Sequence, residues 1–139
     1  MRLIVHGQPA SKKNSLQVVH AKGRMLLIPA KGYSRWLKDA RPQVKAQTRG
    51  IPGLPLTAPV SVKVLAYRWT RRKIDLANIL SAVDDMLEAC GVLADDAQVE
   101  SHDGSRKILG VPKDEARVEI EINEFFAHGR ENKSNLRSA

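Results

Sequence analysis

The chain has 139 residues, with 23 Lys and Arg against 15 Asp and Glu, a net charge of +8 and one cysteine. That length suits one domain with a real core and is too short for two, and a lone Cys90 excludes an intramolecular disulfide framework or a Cys-rich zinc site. No run of about 18 apolar residues offers a membrane span, and the start MRLIVHGQPASKKN lacks the apolar region of a signal peptide, so a soluble cytoplasmic protein without a membrane partner is expected.

Residues 2–6 (RLIVH) read as a short strand, and GQPASKKNS after it has the Gly, Pro, Ser and Asn of a loop with Lys12 and Lys13 at its centre. LQVVHAKGRMLLIP is two β-rich runs around AKGR, a hairpin signal that also displays Lys22 and Arg24. From about Gly32, Trp36, Leu37, Ala40 and Val44 fall at helical spacing, and Pro42 is expected to kink or restart that helix. After the Pro- and Gly-rich loop GIPGLPLTAP, VSVKVLAYRW alternates with the period of a strand and leads straight into RRKID. From Leu76 to Cys90 the pattern is helical, since Ile79, Leu80, Val83, Met86, Leu87 and Cys90 lie within about a 120° arc. Asp75 is the expected N-cap and Gly91 the C-terminal stop. A loop with Asp95 and Asp96 follows, then two strands at about 99–110 and 116–125 joined by VPKDEA. A folded domain over 1–126 is expected, followed by a polar tail, AHGRENKSNLRSA, over 127–139. Trp36 and Trp69 are expected in the core or a dimer contact, the four histidines in structural or exposed positions, and Cys90 as a buried small hydrophobe.

The charges are divided unevenly along the chain. Residues 1–74 hold 16 Lys and Arg against the single acid Asp39, whereas residues 75–139 hold 7 against 14, so the halves carry +15 and −7. A cationic surface suits a polyanion such as nucleic acid, and grouped carboxylates suit oxygen-liganded divalent cations, a pairing that points to a metal-dependent nuclease. Around the 76–90 helix axis, Asn78 and Asp85 are seven residues apart and nearly superimpose, with Asp75 near their side. These three can share a groove to which the next loop could return Asp95 or Asp96. Asp84 and Glu88 fall on the opposite flank and are assigned to solvent. Phosphodiester cleavage needs an acidified water and neutralised phosphate charge, and carboxylate-held Mg²⁺ supplies both. Taken singly, each acid also has an ordinary reading: Asp75 as a helix cap, Asp95 with Asp96 as a turn, Asp85 as a solvated or salt-bridged flank. Lys12, Lys13, Lys22, Arg24, Arg71, Arg72 and Lys73 are the candidate phosphate contacts.

The order of a basic run, an Asp opening a helix, Asn three residues on, Asp within the helix, Gly at its end and then LADDAQV resembles the RusA family of Holliday junction resolvases of phages and prophages. GQPASKKNS and MLLIP followed by KGYSRWLKDA are similar to that family's beginning, so the resemblance covers roughly residues 3–125. It implies an α+β single domain with a mixed sheet and helices on one face, acting as a homodimer on four-way DNA junctions by Mg²⁺-dependent hydrolysis, with Mn²⁺ a possible substitute. By position it implies Asp75 and Asp96 as catalytic aspartates, Asp95 beside the latter, Asn78 as the Asn that follows the first, and Asp85 as the Asp inside the helix. The family's D-x-D-N-x-x-K pattern is broken here by Ala77 and Ser81, which removes a carboxylate and an ammonium one helical turn apart. A variant site in which Asp75, Asp85 and Asp95 or Asp96 hold the metal is expected, with Arg72, Lys73 or Lys12 offsetting phosphate charge. The alternative is a catalytically degenerate binder of branched DNA.

Overall fold

The computed structural model describes residues 1–10, 16–29 and 31–125. Seven strands and two helices follow in the order β1 (Arg2–His6), β2 (Leu16–Ala21), β3 (Arg24–Pro29), α1 (Lys31–Thr48), β4 (Val60–Arg68), α2 (Leu76–Ala89), β5 (Val99–Ser101), β6 (Arg106–Leu109) and β7 (Arg117–Glu124). The main sheet is mixed. β7 lies between β1 and β4 and is antiparallel to both, while β5 and β6 both pair with β4 in parallel. This is the expected α+β single domain.

β4 is the centre of the sheet because its alternation is nearly perfect: Val60, Val62, Val64 and Ala66 are buried on one face and Ser61, Lys63, Leu65 and Tyr67 are half-buried on the other. The fully covered face meets Ile79, Val83, Met86 and Leu87 of α2 and Trp36, Ala40 and Val44 of α1 in one core with Leu3, Val5, Val118 and Ile120. Burial of these side chains, each worth about 1.5–3 kcal/mol, holds the helices on that face. α1 also shields the outer edge of β1. Gln47 exchanges hydrogen bonds with Ile4 N and O at 2.8 and 2.7 Å, and Gln43 does the same with His6 at 2.7 and 3.1 Å, so the edge strand's open backbone groups are filled.

One expectation changes and two are narrowed. α1 continues through Pro42 as one helix, which excludes the restart that was one of the two expected outcomes there. The 99–110 segment is two strands, because Asp103 and Gly104 (φ +84°) turn the chain between β5 and β6, closed by Ser105 N donating to His102 O at 3.0 Å. Trp36 is buried as expected, whereas Trp69 is 41% exposed and so lies outside the core, which leaves the dimer contact as its expected place, with the Lys113 ammonium 5.3 Å over its ring. The hairpin signal at AKGR holds, since Lys22 and Gly23 both have positive φ, 51° and 73°, as a twisted two-residue turn requires. Residues 126–139, which include the expected tail, lie outside the described residues.

Candidate active site

α2 carries the acidic residues, and the two ends of the helix are built differently. At the N-terminus Asp75 has extended backbone (φ −78°, ψ 122°), the geometry of a cap, yet its side chain accepts no capping bond from the helix. Its carboxylate is exposed and, among the described residues, hydrogen-bonds only to the Asn78 amide, at 3.4 Å. The cap reading therefore accounts for the backbone and not for the carboxylate. Beside it, Lys107 of β6 donates from Nζ to Ile74 O at 2.6 Å. A cation at a helix N-terminus opposes the helix dipole, and the partner that holds Lys107 there is the Ile74 carbonyl, one residue before Asp75.

The C-terminus of α2 is closed by Gly91 (φ +75°) with Val92 N donating to Leu87 O at 2.9 Å, the Schellman arrangement that the sequence anticipated. The chain then turns back so that DDAQ lies against the end of the helix. Gln98 is the anchor: its Nε2 donates to Leu56 O and Ala58 O, both at 2.9 Å, while its Oε1 accepts from Asp95 N at 2.8 Å. Asp95 caps the short 3-10 turn Asp96–Gln98 by accepting from Ala97 N at 2.9 Å, so its turn reading is correct. Asp96 is left exposed, with its backbone N–H donating to Glu88 Oε1 at 3.0 Å. One carboxylate oxygen from each of Glu88, Asp95 and Asp96 lies within 4.8 Å of the others. Asp85 adjoins Asp96: its hydrogen bond with Asp96 is the largest cause of an Asp96 pKa above the ordinary carboxylate value, followed by slight burial and the charges of Glu88 and Asp85.

The three carboxylates of Glu88, Asp95 and Asp96 place like charges close together, which a divalent cation relieves. The donors are all oxygen, the set preferred by Mg²⁺, Mn²⁺ and Ca²⁺. The residues therefore fit a hard cation.

The sequence had placed Glu88 in solvent. It is exposed, but Asp85 three residues before it is its neighbour on the helix surface, a spacing that could have identified it. The solvent assignment of Asp84 is corrected outright. Asp84 is only 9% exposed, with Oδ2 hydrogen-bonded to His102 Nε2 at 2.8 Å, because the turn between β5 and β6 folds over that flank of α2. Burial, acting against the His102 charge and hydrogen bond, pushes its pKa up to about 6.

Asp75 and Asn78 share a side of α2 with Asp85, as the spacing required, but the ten residues from Asp75 to Asp85 span about 15 Å of helix axis. Within one chain Asp75 and the Asp85–Glu88–Asp95–Asp96 group cannot hold one ion, whose ligand distances are about 2.0–2.6 Å. Tyr33 of α1 also faces this group. Its hydroxyl is pushed up to about 12, first by burial and then by the Asp85 charge. Neither Tyr33 nor Lys107 had a local sequence signal, since each reaches α2 only through tertiary packing.

Among the basic candidates, Arg71, Arg72 and Lys73 are exposed in the segment that joins β4 to Asp75, and Lys22 and Arg24 are exposed at the tip of the β2–β3 hairpin. Lys12 and Lys13 lie outside the described residues. Before them, Pro9 O accepts from Arg68 at 2.7 Å and Gln8 Oε1 accepts from Trp69 N at 2.8 Å. Arg71 lies across Gly110, where a Cβ would come within 2.8 Å of its guanidinium carbon.

The family model described as Endodeoxyribonuclease RusA matches residues 6–123, a span that holds both ends of α2, the DDAQ turn and the basic run. None of the curated proteins matches the chain. Among the described residues no helix is long and apolar enough to cross a membrane.

Proposed function

We propose, from the premise that this chain belongs to the RusA endodeoxyribonuclease family and is thus a Holliday junction resolvase, that it acts as a Mg²⁺-dependent homodimer, with residues 1–126 as its nuclease domain and the cytoplasm as its place of action. The observation that carries the reading is the convergence of Glu88, Asp95 and Asp96 beside Asp85, in a chain whose first 74 residues are almost wholly basic. Asp96, Asp85, Glu88 and Asp95 would hold the cation, which when bound acidifies water and neutralises charge on the phosphate. The protein's own residues do the rest. Arg71, Arg72 and Lys73 take the backbone phosphates that lead to the site, and Lys107 sets a positive charge beside Asp75, in place of the ammonium that Ser81 lacks.

The separation of Asp75 from the acidic group supports the dimer. Two α2 helices related by a two-fold axis and running antiparallel would set Asp75 and Asn78 of one protomer against the acidic group of its partner, completing both sites at once. A monomer leaves each site without Asp75. A dimer with two such sites also suits the two symmetric cuts that a four-way junction requires.

The test is incubation of a synthetic four-way junction with the protein, with Mg²⁺ or with EDTA. Paired, Mg²⁺-dependent cuts in opposite strands are expected, and Mn²⁺ should substitute. A band shift without cleavage in either metal would replace this reading with that of a degenerate junction binder, for which Ala77 and Ser81 are the motive.

A further inference from the structure

Asp84 is unexplained by the metal reading. An ionisable side chain on the buried flank of a helix costs several kcal/mol unless it is paired, and Asp84 has one partner among the described residues, His102, while its Oδ1 is buried with no hydrogen bond at all. Apolar packing at this position would be the stable solution. A buried carboxylate gripping one nitrogen of an imidazole is instead the arrangement that fixes a histidine's tautomer and aims its other nitrogen. The imidazole is suitably placed, since His102 sits in the turn between β5 and β6 with its side chain 29% exposed. Where the Asp84 carboxylate accepts from Nε2–H, Nδ1 is the accepting nitrogen, and among the described residues no hydrogen bond engages it. Asp84 precedes Glu88 by four residues, about one helical turn, so the carboxylate that holds His102 is a neighbour of Glu88 on the surface of α2, and Glu88 converges with Asp95 and Asp96.

We propose that His102, aimed by Asp84, is a further residue of the cleavage site, whose Nδ1 accepts a proton from the attacking water. This rests on the endonuclease reading above. In the step, the water oxygen forms the new bond to phosphorus and one water proton passes to Nδ1. The bond from phosphorus to the leaving sugar oxygen breaks, that oxygen takes a proton from bulk water, and His102 returns its own to solvent. Asp84 touches no substrate and is a positioning residue.

The experiment compares wild type, His102→Ala, His102→Gln and Asp84→Asn on a synthetic four-way junction in Mg²⁺, with single-turnover rates, junction Kd in Ca²⁺, and added imidazole. Loss of a general base predicts a cleavage rate about 100-fold lower in both His102 variants, with junction Kd within about twofold of wild type. Free imidazole should restore part of the rate to His102→Ala and none to His102→Gln, whose side chain fills the gap. Asp84→Asn should fall in the same direction by about tenfold, with retained circular dichroism. Wild-type rates in both His102 variants would overturn the proposal. So would a rate loss matched by lost junction binding and untouched by imidazole, which would make His102 a prop for the turn. Failure of the wild-type protein to cut any junction would instead refute the endonuclease reading itself.

Discussion

Mixing two inactive proteins provides a sharp test of the composite site. Asp75→Asn removes the acid at the helix N-terminus and Asp96→Asn removes one from the distal group, so each homodimer should lack every intact site. If Asp75 works with the acidic group of its partner, a heterodimer of the two variants has one site carrying both substitutions and one carrying neither. Random exchange of subunits makes about half the dimers heterodimers, each with one good site of two, which restores roughly a quarter of the wild-type sites. Because no heterodimer has two good sites, the restored activity should be nicking of the junction rather than paired resolution. The assay is unfolding and joint refolding of equimolar variants, followed by denaturing electrophoresis of an end-labelled junction in Mg²⁺. If Asp75 and Asp96 instead belonged to one site within a chain, every site in the heterodimer would lack one of them and mixing would restore nothing. That outcome would refute the argument from about 15 Å of helix, and full activity of either homodimer would remove that residue from the site.

Four further outcomes follow from the geometry. The Asp84 carboxyl, raised to about 6 in the folded protein from an ordinary 3.8, contributes stability that is complete below the lower value and lost as the pH climbs through the higher one. In EDTA the wild type should therefore gain about 1 kcal/mol between about pH 7.5 and about pH 5 in urea melts, and Asp84→Asn should lack that gain. Gln98→Ala removes three hydrogen bonds that seat the DDAQ turn, so it should cost about 1–3 kcal/mol in the same melts and reduce cleavage by displacing Asp96; unaltered stability would show that the turn holds itself. Replacing Arg72 and Lys73 together by Ala should make the salt dependence of junction binding shallower, by about 0.9 in log-log slope for each lost phosphate contact, and an unchanged slope would exclude them from the DNA path. Ala77→Asp with Ser81→Lys should change the cleavage rate little, because Lys107 already places a cation beside Asp75; a large gain would mark the wild-type site as impaired.

The elements that were legible in the sequence are those whose cause is local. The alternation of β4, the apolar arc of α2, the AKGR turn and the Gly91 stop each depend on the period of a strand or helix, or on the dihedral freedom of a few adjacent residues, which a linear pattern records. The same arithmetic gives Asn78 and Asp85, seven residues apart, the same phase on the observed α2 helix. Helical phase says which residues share a side, but not how that side is covered. Asp84 lies on a flank that would be solvated in an isolated helix, and it becomes buried only because the Asp103–Gly104 turn splits one expected strand in two and carries His102 over it. Glu88 joins Asp95 and Asp96 because Gln98 pins the returning chain to Leu56 and Ala58, about forty residues earlier. Lys107 reaches Ile74 because β6 pairs in parallel with β4. Such neighbours are set by strand order and by crossovers between distant segments, and no local window contains them. The sequence by itself thus determined the inventory of acids, the helix that carries them and the class of reaction, whereas only the tertiary structure decided which acids meet, which one is buried against a histidine, and which basic residue stands beside Asp75.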